Sequence, residues 1–430
     1  MLDSREIPST ATKRPVSGED RVRCIARFLD CRAATEALAA PLSEEDQQLQ
    51  ATPLASPTKW HRAHTSWFFE TFLLEPAGIA VYDARFGRLF NSYYDGVGPR
   101  VARDKRGLLS RPSAREVGAY RRAVDERMLG LLESLDAPGL ARAMPLLLLG
   151  IAHEEQHREL ILTDVLHAFS ENPCAPVYRE GSVPARPSAA PLSWQSYAGG
   201  LVELGAPAGP FAFDNERPRH RVFLGEYQLA SQLVNVRQMK DFIQARGYEQ
   251  PSLWLAQGYE LARASGWHAP LHTRCSGEHY EVFTLRGWRA PHDDEPASHL
   301  SFWEADAVAR FLGARLPTEA EWEHAARELP ADIGNFADGV LVPLAPTSAG
   351  IAQLFGDTWE WTRSSYDPYP GFQPAAGAVG EYNGKFMAQQ LVLRGGSCFT
   401  PPGHVRASYR NFWHPDTRFQ MTGVRLARDL

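Results

Sequence analysis

Cysteine is scarce and unpaired in this chain. The five present (Cys24, Cys31, Cys174, Cys275 and Cys398) form no C-x-x-C pair, and their odd number argues against a disulfide framework. Cys24 and Cys31 lie one heptad apart in RVRCIARFLDCRAATEAL, where buried free thiols are expected rather than ligands. No apolar run approaches the roughly 20 residues needed to cross a bilayer, and MLDSREIPSTATKRPVSGED lacks the apolar core of a signal peptide. A cytoplasmic protein with no membrane partner is the expectation. Charge of one sign is missing too. Against 51 acidic residues stand 45 basic ones, for a net charge of −6 with no basic patch, so electrostatics offers no reason to expect nucleic acid. What remains is an ordinary soluble composition, 44% hydrophobic and 22% charged, over 430 residues, enough for two or three domains with sizeable cores.

Residues 1–18 read as a polar, frayed terminus. Helical periodicity then runs from Glu19 to Ala39, and Leu42–Gln50 supplies a polar turn. SPTKWHRAHTSWFFETFLL (56–74) reads as a second helix opened by Ser56 as cap and Pro57 in the first turn. Arg115–Leu135 is the third and Pro145–Phe169 the fourth, Leu-rich and with proline only at its first position. Four helices over 19–170 predict an all-α four-helix bundle, in which metal sites are built from inward-facing side chains of neighbouring helices. The loop Tyr82–Leu109 is long but too aromatic to be disordered. Residues 171–192 read as a Pro-rich linker. From 193 to 430, short β-type runs between Gly/Pro turns, with helices at Asn235–Arg246 and Ser301–Gly313, predict a loop-rich α+β domain.

The chemistry-bearing stretch is HEEQH at 153–157. His153 and His157 are four apart and project from one helix face, where two neutral imidazoles can bind a divalent metal. Two partly buried histidines bonded to carboxylates fit the same spacing. His61 and His64 lie on the second helix. Residues 153–157 also match the zinc-hydrolase motif H-E-x-x-H, with Glu154 as general base, although the extended form needs glycine and histidine where Leu160 and Thr163 stand.

Four ordered runs, RLPTEAEWEHAAR (315–327), FGDTWEWT (355–362), VLRGGSCF (392–399) and TGVRLARD (422–429), resemble the formylglycine-generating-enzyme/sulfatase-modifying fold, which is related to C-type lectins. Its cysteine-oxidising members need a cysteine pair near the G-G-S segment. Here Cys398 stands alone, so that chemistry is unsupported. Upstream, WHRAHTSWFFETFLL, NSYYDGVGPR and HEEQHRELILTDVLHAF resemble the ergothioneine-biosynthesis sulfoxide synthases, non-haem iron enzymes with a DinB-like bundle.

That resemblance implies Fe(II) held by His64, His153 and His157, with His61 the rival for the first ligand. Three neutral nitrogens on one side leave positions for a thiolate, a water and dioxygen. It implies O2-dependent joining of cysteine or γ-glutamylcysteine to the imidazole carbon of hercynine (Nα-trimethylhistidine) as a sulfoxide, and the N-S-Y-Y run tilts the thiol towards cysteine. A tyrosine hydroxyl is implied as the proton donor that steers the reaction away from sulfinic acid. Tyr94 is the first candidate and Tyr93 the second. The trimethylammonium is assigned to Asn411, Phe412 and Trp413, and the substrate imidazole to Gln156. The thiol's carboxylate is assigned to Arg100 and Arg103, and its amino group to Asp416. The other classes to weigh are a thiol dioxygenase, a zinc hydrolase and a non-catalytic lectin-like binding module.

Overall fold

The computed structural model describes residues 17–184, 186, 191–277, 279–347 and 350–430. The chain divides into two units, one made of Met1–Glu171 with Pro207–Asp214 and Gln373–Lys385, the other of Asn172–Ala206, Asn215–Phe372 and Phe386–Leu430. The expected fray falls mostly outside the described residues. Its end is ordered, because Ser17 and Asp20 form a reciprocal capping box that starts α1 (Gly18–Ala39).

The rest of the first unit follows the predicted bundle. It contains α2 (Thr58–Phe69), a single π-turn at Glu70–Leu74, the short α3 (Phe86–Phe90), α4 (Ala114–Ser134) and α5 (Ala137–Ser170). All twelve residues of α2 are buried, so it is the central helix, packed by α1, α4 and α5. Two expectations need correction. Ser56 does not cap α2; Pro57 holds the cap position, and the Ser56 N–H donates to Asp164 Oδ2 at 2.8 Å instead. Pro145 lies inside α5 rather than opening it, because Asp136 caps the helix nine residues earlier by accepting from the Gly139 N–H. An internal proline removes one backbone hydrogen bond, and the Leu-rich turns around it carry the helix through.

Gly150 of α5 sets how closely α2 can approach. A Cβ there would lie 2.5 Å from the Phe69 ring, so only glycine admits this contact. His153, one turn further along the same face, is thereby brought against α2.

The second unit contains β1 (Trp194–Tyr197), β2 (Gly200–Leu204), β3 (His220–Leu224), β4 (Tyr227–Ala230), α6 (Val236–Gln244), α7 (Ala256–Ala264), β5 (Thr273–Ser276), β6 (His279–Thr284), β7 (Gly287–Arg289), α8 (Phe302–Phe311), α9 (Glu319–Ala326), β8 (Trp359–Ser365), β9 (Leu391–Arg394), β10 (Asn411–Trp413), β11 (Thr422–Gly423) and β12 (Ala427–Asp429). They form sheets of order β1-β4-β12, β10-β9-β8-β11, β5-β6-β7 and the β2-β3 ribbon, antiparallel except where β11 joins β8. Asn235 and Ser301 cap α6 and α8 as predicted. The short helices α7 and α9 were not foreseen. The segment read as a linker is tied down at Tyr178, which is buried and whose N–H bonds the Leu285 carbonyl.

The four signature runs converge physically. Glu360 of β8, fully buried, accepts from Trp322 Nε1 (2.7 Å) and twice from Arg425 (2.8 and 2.9 Å). Arg394 reaches Glu319 at 2.9 Å and Glu323 at 3.2 Å. These runs build the frame of the unit, and Cys398, buried beside them, is in no disulfide.

Candidate metal centre

His64 on α2 and His153 and His157 on α5 bring one nitrogen each to within 4.8 Å of one another. Their rings lie 4.8, 4.8 and 4.5 Å apart. Two features fix His64. Its imidazole is stacked between Trp60 (4.5 Å) and Trp67 (5.4 Å), and its Nδ1 lies 2.6 Å from the Phe90 carbonyl. A carbonyl only accepts, so Nδ1 carries the proton and Nε2 keeps a lone pair aimed at His153 Nε2, 3.1 Å away. Loss of water holds all three imidazoles in the neutral, metal-binding form: His153 is pushed down to about 3, and His64 and His157 well below the usual histidine range. The donor set therefore fits a divalent metal. Three converging, neutral, desolvated nitrogens have no anion among them, and His153 Nδ1 is buried without a hydrogen-bond partner.

His61, the rival ligand, stands one step outside this cluster. Its Nδ1 lies 2.7 Å from His157 Nδ1 and its Nε2 lies 3.0 Å from Asp164 Oδ2.

Glu154 cannot serve as the base of an H-E-x-x-H hydrolase. Its side chain is fully buried on another face of α5, where it accepts from Thr35 (2.6 Å), Arg32 (2.8 Å) and Arg121 (2.8 Å). Burial alone would raise its pKa, but the two guanidiniums overcome that and hold it at about 2.

The sequence reading missed Tyr382. The segment Gln373–Lys385 returns to the bundle unit, and Tyr382 donates its hydroxyl to Gln156 Oε1 on α5, one residue before His157. Its ring lies 5.6 Å from that of His153 and stacks on Phe213 at 5.5 Å. Glu381 anchors this segment by accepting from the N–H groups of Asp95 (2.9 Å) and Gly96 (2.8 Å). Tyr94 is fully buried too, but its neighbours are Trp67 (5.5 Å), Phe72 (5.3 Å) and Tyr93 (4.7 Å).

Arg100 pairs with Asp95, and Arg103 is exposed. Arg106, grouped by sequence with the surface arginines, is buried. It stacks 3.5 Å over Trp60 and donates to Ser56 (2.9 Å) and Ser92 (3.0 Å), and among the described residues no carboxylate is bonded to it. In the second unit, Asn411–Trp413 are β10, half-buried. Phe412 stacks on Tyr366 at 3.9 Å, Trp413 meets Phe419 at 5.6 Å, and Asp416 is exposed beyond the strand.

Two family models match the chain. The DinB superfamily covers residues 27–161, and the sulfatase-modifying factor enzyme 1-like domain covers 193–339 and 331–430. The chain is similar to the hercynine oxygenase of Mycolicibacterium smegmatis, 33% identical with 89% of this chain and 93% of that protein covered. A second hercynine oxygenase, from Mycolicibacterium thermoresistibile, is 31% identical with 95% of each chain covered. The formylglycine-generating enzyme of Streptomyces coelicolor is 26% identical over 56% of this chain and 92% of its own length.

Proposed function

The chain belongs to the hercynine oxygenase family, and we propose that it is a sulfoxide synthase of ergothioneine biosynthesis, working with ferrous iron held by His64, His153 and His157. The reaction joins a cysteine-type thiol to the imidazole carbon of hercynine. A thiol S–H, a ring C–H and O2 become a C–S sulfoxide and one water. The observation that carries this reading is the convergence of three neutral imidazoles from two helices in a family of oxygenases. When bound, the iron supplies a site for the thiolate and activates dioxygen.

The chain's own residues do the rest. Stacking by Trp60 and Trp67 orients His64 and keeps water from its faces. Gln156, whose Oε1 is engaged by Tyr382, orients the substrate ring from α5. The Tyr382 hydroxyl delivers the proton that diverts the reaction from sulfinic acid, because its ring neighbours His153, while the aromatic contacts of Tyr94 are to Trp67, Phe68, Phe72 and Tyr93. Arg100 and Arg103 supply guanidinium partners for the thiol's carboxylate, and Asp416 a partner for its amino group. The face of Phe412, with Asn411 and Trp413, takes the trimethylammonium, which has no hydrogen to donate and is held by aromatic faces.

The test is mass spectrometry of products after anaerobic Fe(II) loading and exposure to air, with hercynine and cysteine in one tube and hercynine and γ-glutamylcysteine in another. A sulfur-linked hercynine sulfoxide is expected, and the faster tube names the thiol. Iron-loaded protein that yields no such product in either tube refutes the proposal.

A further inference from the structure

His61 and Asp164 have no place in the reaction as described, yet both are buried, at 2% and 7% exposure, and His61 on α2 meets both Asp164 and His157 of the metal helix α5. They form a directional chain. The Ser56 backbone N–H can only donate, and it meets Asp164 Oδ2 at 2.8 Å. The same oxygen lies 3.0 Å from His61 Nε2, so that nitrogen carries the proton and donates it. His61 Nδ1 is then a lone pair. It faces His157 Nδ1 at 2.7 Å, a hydrogen-bond distance at which, with His61 neutral, the proton is the one on His157. The reverse direction would set the His61 Nε2 lone pair against a carboxylate oxygen already accepting from Ser56.

We propose that His61 and Asp164 are positioning residues that fix His157 as an Nδ1–H tautomer, leaving Nε2 as its metal-binding atom. This rests on the reading of His64, His153 and His157 as the metal ligands. His64 reaches the same tautomer by donating to the Phe90 carbonyl, a neutral acceptor. His157 instead ends its chain on a carboxylate, which makes it the more basic donor of the two. The spacing of the sequence permits this arrangement. Asp164 lies seven residues after His157, two turns along one face of α5, and His61 lies three before His64 on α2, so one imidazole can bridge them.

Metal-free protein is titrated anaerobically with Fe(II) against a coloured chelator, in wild type, His61→Leu, His61→Asn, Asp164→Asn and His153→Ala. His61→Leu is expected to bind about 10- to 100-fold more weakly. His61→Asn places a carbonyl oxygen near the lost Nδ1 acceptor and recovers most of that loss. In Asp164→Asn the Ser56 N–H keeps an oxygen facing His61, so the direction survives without the charge and the loss is smaller. A second readout is independent of activity. Nitrogen-15 histidine spectra of Zn(II)-loaded wild type should show His157 bound through Nε2 with a proton on Nδ1. His157 bound through Nδ1, or His61→Leu binding as tightly as wild type, overturns the relay while leaving the metal site in place. If wild type binds no metal, or His153→Ala binds as well as wild type, the ligand reading itself falls and the relay with it. Should His61→Leu not fold, the wild-type spectrum and His61→Asn decide.

Discussion

His153 and Glu154 are neighbours on α5, both all but cut off from water, and they end in opposite states of charge. His153 is held neutral, pushed down to about 3, because burial opposes its charged form more than the neighbouring Glu154 carboxylate favours it. Glu154 is held ionised at about 2, because Arg32 and Arg121 more than offset the same burial. The roughly 100° between successive helix residues separates a face prepared to receive a cation from one already neutralised by two. Burial sets the cost of a charge, and the partner decides whether it is borne. H-E-x-x-H as a string cannot carry this distinction.

Paired substitutions break the comparison most sharply. His153→Ala should abolish metal binding while the fold stays intact, and full metal stoichiometry in that variant would refute the ligand assignment. Glu154→Ala should do the reverse. It removes the buried carboxylate that Arg32 and Arg121 share, leaving each with one carboxylate partner, Asp125 and Glu36, and is expected to cost about 3 kcal/mol of stability, read by thermal or denaturant unfolding. A hydrolytic base would instead leave stability nearly untouched on removal.

Acid sharpens the contrast in metal-free protein. A carboxylate depressed from 4.5 to about 2 stabilises the fold above pH 4.5, and that contribution, about 3 kcal/mol, is lost as pH falls towards 2. A histidine depressed from 6.5 to about 3 also costs stability on acidification, but earlier, since below pH 6.5 the unfolded chain takes up the proton first. Unfolding free energy should therefore decline in two stages. Glu154→Gln should remove the lower stage and His153→Ala weaken the upper. A single decline unaffected by either variant would mean that the two faces do not differ as described.

Much of this was legible in the sequence, for local reasons. The four long helices announce themselves by periodicity, though not by their starts, since Ser56 does not cap α2 and Pro145 does not open α5, and His153 and His157 share a face by spacing alone. The signature runs are recognisable because Glu319, Trp322, Glu360, Arg394 and Arg425 form buried bonds that tolerate little change. The rest depends on distance in space. His61 and His64 lie on one side of α2, and only the packed neighbour shows that His64, not His61, converges with both His153 and His157. Arg106 sits in a charged run that reads as surface, and its burial over Trp60 has no local signal. Tyr382 lies more than two hundred residues from Gln156, in a segment that rejoins the first unit from within the C-terminal half. An aromatic in EYNGKF, among glycines and without periodicity, gives no hint of it.

The two tyrosines offer a subtler comparison. Tyr382→Phe keeps the ring against Phe213 and removes only the hydroxyl, so thiol oxidation to sulfinic acid should rise at the expense of the sulfoxide. Tyr94→Phe should leave the product ratio closer to wild type. The opposite ranking, by mass spectrometry of both products, would return proton donation to Tyr94.

The smallest effect concerns the approach of the helices that makes the histidine face possible. In an exposed helix, alanine in place of glycine gains about 1 kcal/mol. At Gly150 the added methyl would meet Phe69 at 2.5 Å, and Phe69 is itself buried edge-on against Phe28 at 5.0 Å, with little room to turn away. Overpacking of this kind costs about 1–3 kcal/mol, so Gly150→Ala should come out destabilised by about 1 kcal/mol or slightly more. It should also bind metal more weakly, because pushing α5 away from α2 separates His153 from His64. The Glu154 face feels this less, since Arg32 and Arg121 reach it through long side chains that can follow a small shift. A variant that melts higher than wild type and keeps its metal affinity would show that Gly150 does not set the distance between the two helices.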